Sequence, residues 1–161
     1  MNQQRFSTQE VTRLTGATAR QLQWWDEISL VVPAREANRR AYFPEQILDV
    51  QLMLELRRSH LPLETAQRVL RSFHGKAMPH LAEVARSRQK HFLLVNESGQ
   101  WIVHSAEALM EQVARVAQPI YVISLREVLG RLGGLFVQSP QKRPSQRVLS
   151  FAKEKEVRRA G

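Results

Sequence analysis

Apolar positions recur at helical spacing through the first half of the chain and change to strand spacing near residue 91. Ser7 and Glu10 have the S-x-x-E spacing of a capping box, and Val11 and Leu14 then fall on one face of a first helix. Gly16 follows as a turn residue that tolerates positive φ. Thr18 and Gln21 repeat the capping pattern as T-x-x-Q, and Leu22 and Trp25 give a second short helix an inward face. Residues 31–42 lose helical periodicity and predict a short β-hairpin. Pro44 suits the first turn of a helix running to about Ser59, with Ile47, Leu48, Val50, Leu52 and Leu54 as a broad apolar face. Pro62 opens another to about Phe73, with Leu63, Ala66, Val69 and Leu70 inward. Gly75 breaks the chain, and a shorter helix over about 79–89 carries Leu81, Val84 and Ala85.

The second half reads differently. KHFLLVNESGQWIVHS predicts a β-hairpin turning at Asn-Glu-Ser-Gly. AEALMEQVARVA predicts an amphipathic helix with Leu109, Val113 and Val116 on a face, ended by Pro119. IYVISL reads as a compact strand, REVLGRL as a short helix, and LFV as a further edge strand. The remaining tail is polar, basic and broken by Pro140 and Pro144, a composition expected to stay disordered until bound. The fold class is therefore mainly α with small β. A head over 1–75 is followed by a linking helix over 76–90, a β-β-α-β module over 91–137 and a basic flexible tail over 138–161.

Two short helices about a glycine turn, followed by an arginine-rich hairpin, make a winged helix-turn-helix. That arrangement lays the second helix in the DNA major groove and the hairpin against the backbone. Arg20, Gln21, Gln23 and Trp24 fall on the outward faces of that helix. Arg and Gln are the side chains best matched to guanine and adenine edges. Arg35, Arg39 and Arg40 cluster in the hairpin, where they can neutralise phosphate.

These residues resemble the mercury-resistance (MerR) family of bacterial transcription regulators. Leu22, Trp24, Trp25, Asp26, Leu30, Pro33, Arg40 and Tyr42 stand at positions matching the family pattern, and PEQILDVQLMLELRRSHLPLETAQRVL resembles its following helix pair. The resemblance covers about residues 6–73. There are departures: Gln23 stands for a usual Arg, Trp25 for Tyr, Ser29 and His60 for two common glycines, and Asn38-Arg39-Arg40 for Gly-aromatic-Arg. The resemblance implies a homodimer on a pseudo-palindromic promoter site, with double-stranded DNA as partner and RNA polymerase as a further candidate. Its DNA contacts would fall on Thr18, Arg20, Gln21, Gln23, Trp24 and Trp25 of the second helix, and on Arg35, Asn38, Arg39, Arg40 and Tyr42 of the wing. Family members commonly pair through one long helix. Here that helix is short, so the 91–137 module is expected to complete the dimer contact.

Composition narrows the chemistry. The absence of cysteine excludes disulfides, thiolate metal sites and thiol-based sensing. Histidines 60, 74, 80, 91 and 104 have no i, i+4 pair, so no metal is expected, and no cofactor is implied. Gly130, Gly133 and Gly134 lack the Lys-Ser/Thr of a phosphate loop. The net charge of +9 is uneven: +2 over 1–75, +2 over 76–137 and +5 in the tail. No leader pattern or membrane-length apolar run is present, which predicts a cytoplasmic protein. No nucleophile–base motif supports an enzyme. The rival reading is a modulator whose head binds a protein, as regulators of co-chaperones do, without touching DNA. The wing arginines beside Arg20 and Gln21 favour DNA.

Overall fold

The computed structural model describes residues 4–73, 84, 87–132 and 135. The expected helix over 79–89 lies outside them except for Val84, which is helical and buried, and Ser87–Gln89, which are not helical. The expected edge strand over 135–137 is described only at Leu135, which is helical, and the tail lies outside.

The head begins with a two-residue strand, β1 (Phe6–Ser7), and two helices, α1 (Thr8–Thr15) and α2 (Ala19–Glu27). The wing follows as β2 (Ala34–Glu36) and β3 (Arg39–Tyr42), then α3 (Pro44–Arg58) and α4 (Leu63–Phe73). Both capping boxes form. Ser7 N–H donates to Glu10 Oε2 at 2.7 Å while Glu10 N–H donates to Ser7 Oγ at 3.3 Å. Thr18 N–H donates to Gln21 Oε1 at 2.9 Å, and Gln21 N–H to Thr18 Oγ1 at 3.1 Å. At the start of α3, Phe43 N–H is taken by Gln46 Oε1 at 2.7 Å, and Gln46 Nε2 reaches back to Val32 O at 3.0 Å, fixing the base of the wing.

Three helices of the head end through left-handed residues. Gly16 (φ 80°) closes α1 with a bond from its N–H to Thr12 O of 2.9 Å. After α2, Ser29 (φ 55°) donates to Asp26 O at 3.0 Å and Leu30 to Trp25 O at 2.8 Å. After α3, His60 (φ 62°) donates to Arg57 O at 3.1 Å and Leu61 to Leu56 O at 3.2 Å. The last two are Schellman motifs, with buried Leu30 and Leu61 supplying the accompanying apolar contact.

The wing is a two-residue hairpin, since Glu36 pairs Arg39. Ala37 (φ 45°) and Asn38 (φ 63°) both take the left-handed conformation that such turns require. The short strand β1, not expected from the sequence, pairs antiparallel with β3 and makes the sheet three-stranded in the order β1-β3-β2.

The second half folds as β4 (Phe92–Asn96), β5 (Gly99–Val103), α5 (Ala106–Arg115), β6 (Tyr121–Ser124) and α6 (Leu125–Gly130), the expected β-β-α-β order with a terminal helix. Its antiparallel sheet has β4 in the centre, in the order β5-β4-β6. Asn96 Oδ1 accepts from Ser98 and Gly99 N–H at 2.9 and 3.0 Å and shapes the hairpin turn. His91 and His104, just outside this ladder, face each other with their Nδ1 atoms 2.9 Å apart.

The module does not stand apart from the head. Leu93, Val95 and Ile123 from one sheet face, with Leu125, Val128 and Leu129 of α6, join the same buried cluster as Ile47, Leu52, Leu56 and Val69. Hydrogen bonds reinforce the seam. Arg68 donates to Asn96 O at 3.0 Å, and Gln100 Nε2 to Ser72 Oγ at 2.7 Å. The sheet face of Leu93, Val95 and Ile123 is thus used within the chain. The amphipathic helix forms as α5 but buries no residue: Met110 and Val113 are exposed. Leu109 and Val116, on the edge of the same face, are half-buried.

Candidate nucleic-acid interface

The outward face of α2 is built by elimination. Leu22 and Trp25 point into the core, which leaves Arg20, Gln21, Gln23, Trp24 and Glu27 exposed around the rest of the helix. Together with Thr18 they line an open hollow of about 710 Å³. Trp24 is 40% exposed, whereas Trp25, its neighbour, is 2% exposed.

The wing sits against the C-terminal end of this helix through one acid. Asp26 Oδ2 accepts from Arg35 at 2.7 Å and from Arg40 Nε at 2.8 Å. Arg35 and Arg40 are directly opposed on β2 and β3. Two like charges facing each other repel, and the shared carboxylate turns that repulsion into a clasp. Donating this hydrogen bond to Asp26 raises the pKa of Arg40. Arg39 points away from the clasp. It is exposed and has no ion pair among the described residues, as is also true of Arg20.

The residues expected to touch DNA separate into three groups. Arg20, Gln23, Trp24 and Arg39 are exposed on the α2 face or the wing tip, with Asn38 in the turn beside them. Gln23 donates to Glu27, and Thr18, Gln21, Arg35 and Arg40 have intramolecular partners as well: Thr18 and Gln21 cap α2, and the two arginines hold Asp26. Trp25 and Tyr42 lie in the core, where neither offers a surface to a ligand. Trp25 packs as the third residue from the end of α2, and its Nε1 has no hydrogen-bond partner among the described residues. Burial pushes the Tyr42 hydroxyl pKa up. Arg57 donates to Leu61 O at 2.8 Å and so caps the end of α3.

Two features were not singled out from the sequence. Asp26 was a pattern match without a role, and its partners lie nine and fourteen residues away. Glu27 accepts from Gln23 Nε2 at 2.8 Å, an i, i+4 spacing that was legible in principle. Among the described residues no three metal-ligating side chains gather, and no helix is long and apolar enough to cross a membrane.

Residues 6–72 match the family described as MerR HTH family regulatory protein. That stretch, which spans the two short helices, the wing and the helix pair after it, is similar to a MerR-type helix-turn-helix head. No curated protein matches the chain.

Proposed function

We propose that the protein is a sequence-specific, DNA-binding transcription regulator that acts as a homodimer on a pseudo-palindromic promoter site. The observation that carries this reading is the Asp26 clasp, which fixes an arginine-bearing wing beside an exposed face of Arg20, Gln23 and Trp24. A head that only bound a protein would have no use for a rigid cationic wing at that angle. α2 enters the major groove and the wing tip follows the adjacent backbone. Arg39 contacts phosphate; Arg20, Gln23, Trp24 and the free end of Gln21 meet base edges. Trp25 and Tyr42 act from the core by holding α2 and β3 in place. One short helix reads few bases. Two heads related by a two-fold axis double the contacts and impose an inverted repeat.

The test is selection of duplexes from a random pool by the full-length protein, followed by sedimentation of the complex. An enriched inverted repeat bound by two chains is expected. Failure to enrich any sequence, with only weak salt-sensitive binding, would replace this reading with a protein-binding head.

A further inference from the structure

The exposed face of α2 carries an acid that phosphate binding does not explain. Glu27 is exposed, lines the same hollow as Arg20, Gln23 and Trp24, and accepts from Gln23 Nε2 at 2.8 Å. A carboxylate turned toward a polyanion is repelled unless it meets a donor.

The amide orientations decide what this face offers. A carboxylate only accepts, so the Nε2 end of Gln23 is the end turned to Glu27, with one of its two N–H groups engaged there and its Oε1 left outward as an acceptor. Glu27 keeps a second oxygen, so the C-terminal half of the face offers acceptors. Gln21 is fixed the opposite way. Its Oε1 is taken by the Thr18 N–H at 2.9 Å, which leaves Nε2 as a donor. With Arg20 beside it, the N-terminal half offers donors. The Trp24 ring lies within the C-terminal half, between Gln23 and Glu27 in sequence.

In the major groove the only base-edge donors are the exocyclic amino groups of adenine and cytosine, N6 and N4. We infer that Gln23 and Glu27 form an acceptor pair that selects adenine or cytosine beneath the C-terminal half of α2. The donor half, Arg20 and Gln21, correspondingly meets the acceptor edge of a purine. This rests on the DNA-binding reading and gives it a direction along each half-site. Glu27 has a second effect, since its charge lowers affinity for every sequence and so suppresses non-specific binding.

The experiment is duplex selection and salt-dependent binding with the full-length protein, alongside Glu27→Gln, Glu27→Ala and Gln23→Ala. Glu27 and Gln23 are exposed, and circular dichroism checks that each variant is folded. The parent should select an amino-bearing base at one position of each half-site. Glu27→Gln keeps an acceptor for Gln23 but adds a donor, so discrimination at that position should fall by roughly tenfold. Binding to non-specific DNA should strengthen in both Glu27 variants. Gln23→Ala should relax the same position without strengthening non-specific binding. Unchanged base preference in the Glu27 variants overturns the inference while leaving a DNA-binding protein. If the parent protein enriches no sequence, the inference falls together with the reading beneath it.

Discussion

Asp26, in the last turn of α2, accepts a 2.8 Å hydrogen bond from Nε of Arg40 in the wing, and the same oxygen holds Arg35. Asp26→Asn therefore separates two physical effects. Removing a negative charge near DNA should strengthen binding if electrostatics alone mattered. Losing the clasp should weaken it, because Arg35 and Arg40 then repel across the hairpin and the wing loses its fixed angle. We expect weaker binding to the selected operator. Arg39→Ala should behave differently: exposed and without an ion pair among the described residues, it should lower the salt slope of log K by about one unit with thermal stability unchanged. A salt titration with both variants checks the pair.

The adjacent tryptophans should part company on mutation. Trp25 is 2% exposed and Trp24 40%. Trp25→Ala should cost about 3–5 kcal/mol of folding stability by opening a cavity between α2 and its neighbours. Trp24→Ala should stay within about 0.5 kcal/mol of the parent in denaturant unfolding, yet lose operator affinity. Equal destabilisation by the two would place Trp24 in the core as well.

Ser29 and His60 occupy the left-handed position of two Schellman motifs, at φ 55° and 62°. An L side chain there is strained where glycine is not. Ser29→Gly and His60→Gly should each stabilise the fold by about 1 kcal/mol, partly offset by the greater freedom glycine gives the unfolded chain. Melting curves of the single and double variants test this. The sites are far apart in sequence, and additive gains are expected.

These two positions also show what was legible. Both were visible as departures from family glycines, and the structure keeps the backbone that glycine would favour. The capping boxes at Ser7 and Thr18, the Pro44 helix start and the Asn96 turn were legible because each depends on side chains within four residues. Longer-range relationships were not. Strand β1 is two residues long and exists only through its pairing with β3. The Asp26 clasp and the His91–His104 contact join residues nine or more apart. The engagement of Gln21 with Thr18 was half legible: the capping spacing was read, but not its consequence for which end of the amide remains outward. The burial of Tyr42 depends on helices that close over the wing from both sides in sequence.

Asp49, on α3, should make stability depend on pH. Burial, with a contribution from the nearby Glu45 charge, pushes its carboxyl up to about 7 from an ordinary 3.8. Between those values the folded protein holds a proton that the unfolded chain has released. Stability contributed by the protonated form is therefore full below about 3.8, declines as pH rises, and is gone above about 7. Asp49→Asn mimics the protonated form. It should be more stable than the parent at about pH 8, with the difference shrinking toward about pH 4. A gap independent of pH would show that Asp49 titrates alike in the folded and unfolded chain.

The shared core makes a prediction about the chain as a whole. Leu93 and Ile123 belong to the module by sequence but are buried in one cluster with Ile47, Leu52, Leu56 and Val69 of the head. Leu93→Ala removes atoms from a fully buried site and should cost about 2–5 kcal/mol. If head and module are one cooperative unit, that cost appears in both. Hydrogen exchange should then lose protection in α3 and α4 as well as in β4. A chain ended after Gly75 should be markedly less stable than the full-length protein, since the apolar residues of α3 and α4 that meet the module become exposed. Loss of protection confined to β4–β6 would mean that the head folds by itself, and that the seam through Arg68 and Gln100 is a docking contact between two separately stable parts.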